Sequence, residues 1–132
     1  RKEALAKLDL SIKLNPFDSK THFSLGRIKY DMENVDDAID SFKKAVHFNP
    51  DFGEAYYRLG LAYDKLNQSY DAISNLLITE IVYHKARKMD LFKKTRAKLE
   101  PLFTKYQTHR ENFKDLQVPE TIKGYDLHKR KD

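Results

Sequence analysis

The chain has no cysteine and no tryptophan, and only 4 glycines and 4 prolines among its 132 residues. The absence of cysteine excludes disulfide bonds, thiolate metal sites and thiol catalysis. No apolar run approaches the roughly 18 residues that a membrane-spanning helix needs, and no charged-then-apolar leader is visible. Since 40% of the residues are hydrophobic, we expect a soluble, folded protein with neither membrane insertion nor a retained signal peptide.

Motifs that carry chemistry are also missing. No glycine-rich phosphate loop or nucleophile elbow is present. The histidines are scattered without an i, i+4 pair that could bind a metal, and they are His22, His47, His84, His109 and His128. We therefore expect no catalytic residues, no metal, no cofactor and no enzymatic activity.

The net charge of +5 is unevenly distributed along the chain. Residues 1–84 carry 11 basic and 13 acidic side chains, whereas residues 85–132 carry 14 basic and 7 acidic ones. Such a distribution can indicate contact with nucleic acid or with an acidic protein, although a solvated lysine-rich face is the commoner explanation.

A register of residues recurs with a period of 34, beginning with the dipeptide Asn15-Pro16, which returns as Asn49-Pro50. Further positions align in the same register: Ala4, Ala38 and Ala72; Leu5, Ile39 and Ile73; Leu8, Phe42 and Leu76; and the Leu-Gly pairs Leu25-Gly26 and Leu59-Gly60. Self-similarity at a fixed period is the signature of a repeat protein, in which each unit packs on its neighbours.

Each unit reads as two helices. Apolar residues fall at helical spacing in both halves of the unit, and the segment around Asn34 separates them. Asn34 is predicted to cap the second helix, ahead of carboxylates at Asp36 and Asp37 that favour the positive end of the helix dipole. Pro16 and Pro50 are predicted to end the second helices.

Small residues predict how the two helices pack. Gly26 and Gly60 have no side chain, and Ala38 and Ala72 have almost none, so the helices of a unit can approach closely. We expect a large side chain such as Phe42 to fill the space beside each contact.

This pattern resembles the tetratricopeptide repeat. One unit matches it with Leu25, Gly26, Ala38, Phe42, Ala45 and Pro50, and the next with Tyr56, Leu59, Gly60, Tyr63 and Ala72. The resemblance covers about residues 1–84 and implies an all-α, right-handed solenoid of antiparallel helix pairs, with C-terminal capping helices and an extended tail. It departs where His22 and Lys29 replace the usual aromatics and where Thr79 and His84 replace the usual alanine and proline.

The register divides the chain into five segments. Residues 1–16 correspond to the second half of a truncated unit, 17–51 to a full unit, and 52–86 to a full unit with an extended second helix. Residues 87–117 are expected to form one or more capping helices, and residues 118–132 an extended basic tail that needs its own solenoid or, by a slight preference, a partner to hold it.

The C-terminal third contains no turn signal between Ser69 and Glu100, so the last repeat helix is expected to run long. A further helix is predicted from about Asp90 to Leu116, with an apolar stripe that covers the last repeat. Pro101 lies inside this segment, so either two helices meet near Glu100 or one helix kinks there.

The first helices of the two full units present a set of mostly polar and aromatic residues on the side opposite the packing face, and the resemblance implies that this side lines a concave groove. Mixed polar and aromatic side chains favour binding of a peptide or a partner helix there. The alternative is that these residues fill space against neighbouring repeats. The candidate groove residues are Lys20, Phe23, Arg27, Tyr30, Asp31, Glu54, Tyr57, Arg58, Leu61, Asp64 and Lys65.

A basic cluster supplies the rival interpretation, binding of RNA or DNA phosphates, although no aromatic platform accompanies it. Its residues are Lys85, Arg87, Lys88, Lys93, Lys94, Arg96 and Lys98.

The sequence favours a protein–protein interaction scaffold, as part of a longer repeat array or as a subunit of a larger assembly. Protein partners are expected, nucleic acid is the less favoured alternative, and no membrane insertion is expected. An intracellular assembly, cytoplasmic, cytoskeletal or organellar, is favoured as the setting.

Overall fold

The computed structural model describes residues 1–127 and contains six α-helices in this range. They are α1 (Lys2–Leu14), α2 (Ser19–Asp31), α3 (Val35–Phe48), α4 (Gly53–Lys65), α5 (Ser69–Lys85) and α6 (Met89–Lys105), followed by short 3-10 helices at Arg110–Phe113 and Glu120–Ile122. Our expectations for His128 and for the charged end of the tail fall outside the described residues.

Each helix packs against its neighbours in sequence. The most extensive contacts join α2 to α3 and α4 to α5, and further contacts join α1 to α2, α3 to α4 and α5 to α6. A predominance of contacts between successive helices is typical of a solenoid. The predicted all-α solenoid of helix pairs is confirmed.

The prolines end the helices as predicted. α1 ends at Leu14 and α3 at Phe48, and the following Asn15 and Asn49 have ψ angles of 88° and 90°. A residue before proline is driven out of the helical region because its backbone clashes with the proline ring. The two dipeptides therefore form equivalent boundaries.

The other helix ends use non-glycine residues with positive φ. Glu33, Asn67 and Arg87 have φ angles of 62°, 58° and 60°. After each of them, a backbone N–H returns to a carbonyl of the preceding helix, as from Asn34 to Lys29 at 2.9 Å. This arrangement satisfies carbonyls that the helix end would leave unpaired. Arg87 in this conformation makes the turn between α5 and α6, where the sequence showed no turn signal.

The predicted capping role of Asn34 is wrong in its detail. Asn34 occupies the N-cap position of α3, but its side chain accepts no backbone hydrogen bond. Its Nδ2 instead donates to Asp37 Oδ2 at 2.8 Å. A cap that accepts from the backbone occurs at α2, where Asp18 Oδ1 accepts from the Lys20 N–H at 3.1 Å.

The close approach of paired helices is confirmed. A β-carbon added at Gly26 would lie 2.7 Å from Phe42 Cδ1, and one added at Gly60 would lie 2.6 Å from Leu76 Cγ. Phe42 and Leu76 are both fully buried. The glycines therefore provide the space that the large side chains of α3 and α5 fill.

The helix predicted from Asp90 to Leu116 is wrong beyond Lys105. α6 ends there, with Pro101 inside one helix, and Gln107 has a φ of 54°. The chain then folds back, so that Phe113 is buried and stacks on Tyr70 with ring centroids 5.3 Å apart. This reversal brings the apolar stripe onto α5 more completely than a straight helix could.

Residues 118–127 of the expected tail contain one short 3-10 helix, Glu120–Ile122, and pack on the solenoid itself, which is one of the two supports considered for them. Ile122 is 2% exposed and lies in the same core cluster as Ile78 and Val82. Tyr125 Oη lies 2.6 Å from His84 Nδ1, and Lys85 Nζ donates to the Thr121 carbonyl. The slight preference for a partner as the support of this segment is therefore overturned for the described part.

Candidate functional site

We call the surface formed by α2, α4 and α6 the A face. Side chains connect these helices across it. Lys65 Nζ lies 5.4 Å from the ring centroid of Tyr30, and Lys94 Nζ lies 5.5 Å from that of Tyr57. Lys105 Nζ forms an ion pair with Asp64 Oδ1 at 2.8 Å. The A face is thus continuous from α2 to α6.

Most candidate groove residues lie on this face and remain accessible. Lys20, Arg27, Asp31, Glu54 and Lys65 are exposed, and Tyr30, Arg58, Leu61 and Asp64 are half-buried. Among the residues that the structure describes, none of the five exposed groups forms an ion pair with another residue of the chain. Arg27 and Lys65 lie over the rings of Phe23 and Tyr30, so the fold uses two of these five charges in cation–π contacts and none of them in ion pairs.

The sequence suggested that Phe23 and Tyr57 lie on the side opposite the packing residues. In the structure both side chains are packed inside the protein. Phe23 is 8% exposed and packs between Phe42 and Phe52, with ring centroids 5.6 Å and 4.8 Å away. Tyr57 is 9% exposed and belongs to the core cluster beneath α6. Each neighbouring unit covers these rings because the first helices of successive units lie side by side.

Arg58 lies partly within the protein. Its Nε is buried and finds no hydrogen-bond partner among residues 1–127. Burial raises the pKa of the adjacent Tyr57, and the Arg58 charge opposes that rise. This guanidinium therefore has unused hydrogen-bonding capacity close to the A face.

A polar recess of about 400 Å³ opens between the ends of the three A-face helices. Asp64 forms one wall, where Lys105 Nζ and Tyr106 Oη donate to Oδ1 at 2.8 and 2.5 Å. Partial burial favours the neutral carboxyl, but these hydrogen bonds outweigh it and lower the pKa of Asp64 below its ordinary value. The lining residues are Tyr30, Leu61, Asp64, Lys65, Asn67, Lys98 and Lys105.

The contribution of α6 to this face was missed in the sequence. Lys98 was assigned only to the basic cluster, and Lys105 and Asn67 were not singled out. A signal existed, because Lys94, Lys98 and Lys105 follow one another at spacings of four and seven, which place side chains on one face of a helix. The position of α6 beside α4, as the third helix of the A face, follows from tertiary packing and not from a local pattern.

The basic cluster is dispersed in the structure. Lys93, Lys94, Arg96 and Lys98 project around α6, because helical geometry places neighbouring residues about 100° apart. Arg96 Nε donates to Glu80 at 2.9 Å, and its guanidinium lies 4.8 Å from the Phe92 ring centroid. Lys85, Arg87 and Lys88 belong to the end of α5 and the following turn. The cluster therefore does not share a single face, although Lys94 and Lys98 lie on the same side of α6.

Glu80 is a charged residue that no pattern in the sequence had singled out. Its side chain is 1% exposed. Arg110 Nη1 and Nη2 donate to its two oxygens at 3.0 and 2.9 Å, and Arg110 Nη2 also donates to Glu100 at 2.6 Å. The hydrogen bonds to Glu80 are the main reason that the pKa of Arg110 is raised. This cluster joins α5, α6 and the 3-10 helix and has a structural role.

Within residues 1–127, no three side chains that could hold a metal ion come together. In the same range, no helix combines the length and the apolar character needed to cross a membrane.

Comparison with known proteins agrees with this geometry. Residues 26–67 match the family model described as TPR repeat. A stretch of 75 residues is 31% identical to the UDP-N-acetylglucosamine–peptide N-acetylglucosaminyltransferase of Giardia intestinalis, over 47% of this chain and 5% of that protein. Repeats of this type generally mediate protein–protein interaction. The match over residues 26–67 and the helix pairs in a 34-residue register agree with the resemblance to the tetratricopeptide repeat family.

Proposed function

We propose that this chain is an interaction scaffold that binds a peptide or a partner helix along the A face. The observation that carries the proposal is the set of exposed charges on α2 and α4 that the fold leaves unpaired, beside the half-buried Tyr30 and Leu61. A surface that mixes charges that form no ion pair with apolar side chains suits a partner segment of the same character.

The buried rings refine the proposed site. Phe23 and Tyr57 would form its floor, while Lys20, Arg27 and Glu54 would contact the partner. The contribution of charges at the rim would be mainly to association rate and specificity, because exposed ion pairs contribute little free energy. Apolar contacts with Leu61 and Tyr30 would supply most of the affinity.

We also propose that the chain works within a longer array or a multi-protein assembly, divided into the units described above. α1 supports this part, since none of its residues is buried and Leu10 and Leu14 are 58% and 78% exposed. In the 34-residue register Leu14 corresponds to Phe48 of α3, which is half-buried, and to Val82 of α5, which is buried in the core. Another helix, in the same or a neighbouring chain, would cover α1 in the assembly.

The nucleic-acid alternative has less support. Arg96 is paired with Glu80, Lys94 lies over Tyr57, and Lys85 holds the C-terminal segment. The remaining members of the cluster are divided between α6 and the turn after α5, whereas nucleic-acid affinity grows with the number of phosphates that are neutralised together.

Site-specific photocrosslinking in the source cells tests the proposal. A photoreactive amino acid is placed at Ser24 on α2, or at Lys43 on the exposed side of α3 as the matched control. We expect discrete protein adducts from Ser24 and none of the same mass from Lys43. Identical adducts from both positions would contradict binding at the A face, and crosslinks to RNA would move the function to nucleic acid.

A further inference from the structure

The polar recess lies where the C-terminal ends of α2, α4 and α6 meet on the A face. At about 400 Å³ it has room for one or two side chains of a partner, and it lies toward the lower end of the range for small-molecule sites. Leu61 and the ring of Tyr30 supply apolar surface within it. Its walls therefore combine an apolar contact with charged groups.

The charges of the recess do not cancel. Three amines, those of Lys65, Lys98 and Lys105, face one carboxylate, that of Asp64. Asp64 is engaged by Lys105 and by Tyr106. Across the described residues, neither Lys65 nor Lys98 forms an ion pair with a carboxylate. Lys65 makes a cation–π contact with the ring of Tyr30, and both amines can still bind an external anion.

We propose that this recess recognises an acidic residue in an extended segment of a partner protein, and this inference rests on the proposed function of the A face. A carboxylate between Lys65 and Lys98 would complete their charge. An apolar side chain next to it in the partner would contact Leu61 and Tyr30. The recess would therefore recognise two neighbouring groups in one short segment of the partner, a carboxylate and an apolar side chain.

Several contacts favour a protein partner over a nucleic acid at this position. The Asp64 carboxylate in the wall would repel each phosphate of a nucleic-acid backbone that lies along the A face. A partner segment with a single carboxylate would meet this repulsion only once. Tyr30 is half-buried and Lys65 covers one face of its ring, so the recess lacks the open aromatic platform on which successive bases stack, although the rest of the ring can contact an apolar side chain. Only two unpaired cations are present, whereas nucleic-acid affinity grows with the number of phosphates neutralised.

Selection from a displayed library of random peptides on the full chain tests this inference. We expect the selected peptides to be enriched in Asp or Glu next to an apolar residue. Replacing Lys65 and Lys98 with Gln should weaken their binding at least about tenfold, which corresponds to about 1.4 kcal/mol. The matched control is Lys44→Gln, an exposed lysine on α3. All three lysines are exposed, so circular dichroism should show unchanged helix content in the double variant and in the control.

The remaining outcomes separate this inference from the proposed function. Acidic peptides that bind the Lys65→Gln, Lys98→Gln variant as tightly as the Lys44→Gln control would overturn the inference. Peptides without acidic residues that are lost on Arg27→Glu would overturn it while leaving the A face as the binding surface. A library that yields no binder at all would count against both. A single-stranded RNA probe that binds through Lys98 would replace the acidic segment with a phosphate backbone.

Discussion

The ring of Phe42 lies against the backbone of Gly26, so that a β-carbon at residue 26 would come within 2.7 Å of Phe42 Cδ1. The contact joins α2 to α3 at the centre of the most closely packed helix pair. Phe42 is fully buried, and it cannot move outward without losing its packing. The absence of a side chain at residue 26 is therefore required by its neighbour.

Gly26→Leu is expected to destabilise the protein by about 1–3 kcal/mol through overpacking, even though leucine is the better helix former. Urea unfolding followed by circular dichroism measures this change. Ser24→Leu, at an exposed position of the same helix, is the control and should change stability little. Equal unfolding midpoints for the two variants would show that the helices are not paired as described.

A compensating substitution sharpens this test. Gly26→Ala combined with Phe42→Leu should cost less than the sum of the two single substitutions, because the smaller side chain makes room for the new methyl group. Additive losses would mean that the two residues do not contact each other.

Arg110→Met should destabilise the fold by about 1–3 kcal/mol, because it removes two hydrogen bonds from the buried carboxylate of Glu80 and leaves only Arg96. The loss of stability is reduced because the Arg110 side chain is partly exposed, so that solvent screens its charge. Lys114→Met, at an exposed position a few residues later, is the matched control. The measurement is the free energy of unfolding in urea, and a loss no larger than that of the control would contradict the role of Arg110.

Two buried tyrosines predict sensitivity to alkali. Burial raises the pKa of both Tyr56 and Tyr83 to about 12, with smaller contributions from Asp51 and Glu54. Since the folded pKa exceeds the unfolded value of 10.0, the folded state retains protons that the unfolded state releases. The corresponding stability is complete below pH 10 and is lost as the pH rises toward 12.

Comparing unfolding free energies across this pH range tests the assignment. Tyr83→Phe should weaken the alkaline loss of stability by roughly 2 kcal/mol at the upper limit. At neutral pH its effect should be smaller, because the folded and unfolded states then both retain the tyrosine proton. An alkaline loss as steep in Tyr83→Phe as in the unsubstituted chain would disprove the contribution of Tyr83.

Ile122→Ala should loosen the C-terminal segment, since Ile122 is the side chain of residues 118–127 that is inserted most deeply into the core. A buried isoleucine-to-alanine change costs about 2–5 kcal/mol where the cavity cannot collapse. The cost should appear as faster amide hydrogen exchange in residues 116–127, with α2 to α5 still protected. Thr121→Ala, which leaves the carbonyl that Lys85 contacts, is the control.

The repeat register predicted much of the architecture, because the residues that define it act locally. Pro16 and Pro50 restrict the residue before them wherever they occur, and the two glycines mark where helices approach. The turn at Arg87 escaped prediction for the opposite reason. An arginine gives no signal of a left-handed conformation, so packing on both sides of it must decide that the helix stops there.

The groove was predicted only in outline. Helical spacing placed Lys20, Arg27 and Glu54 on one face, where they lie exposed. It could not separate them from Phe23 and Tyr57, because the burial of a ring on that face depends on which neighbouring helix lies over it. α6 provides that cover for Tyr57, and its place beside α4 follows from packing between distant residues.

The sequence by itself determined that the chain is a series of helix pairs, since period, helix ends and close contacts all depend on residues within one unit. Tertiary structure alone decided where the series is covered and which charges remain free. The reversal after Lys105 brings Arg110 to Glu80, and the packing of α6 beside α4 commits Asp64 to Lys105. These pairs join residues far apart in the chain, so no local pattern specifies them, whereas the burial of apolar surface between whole helices does.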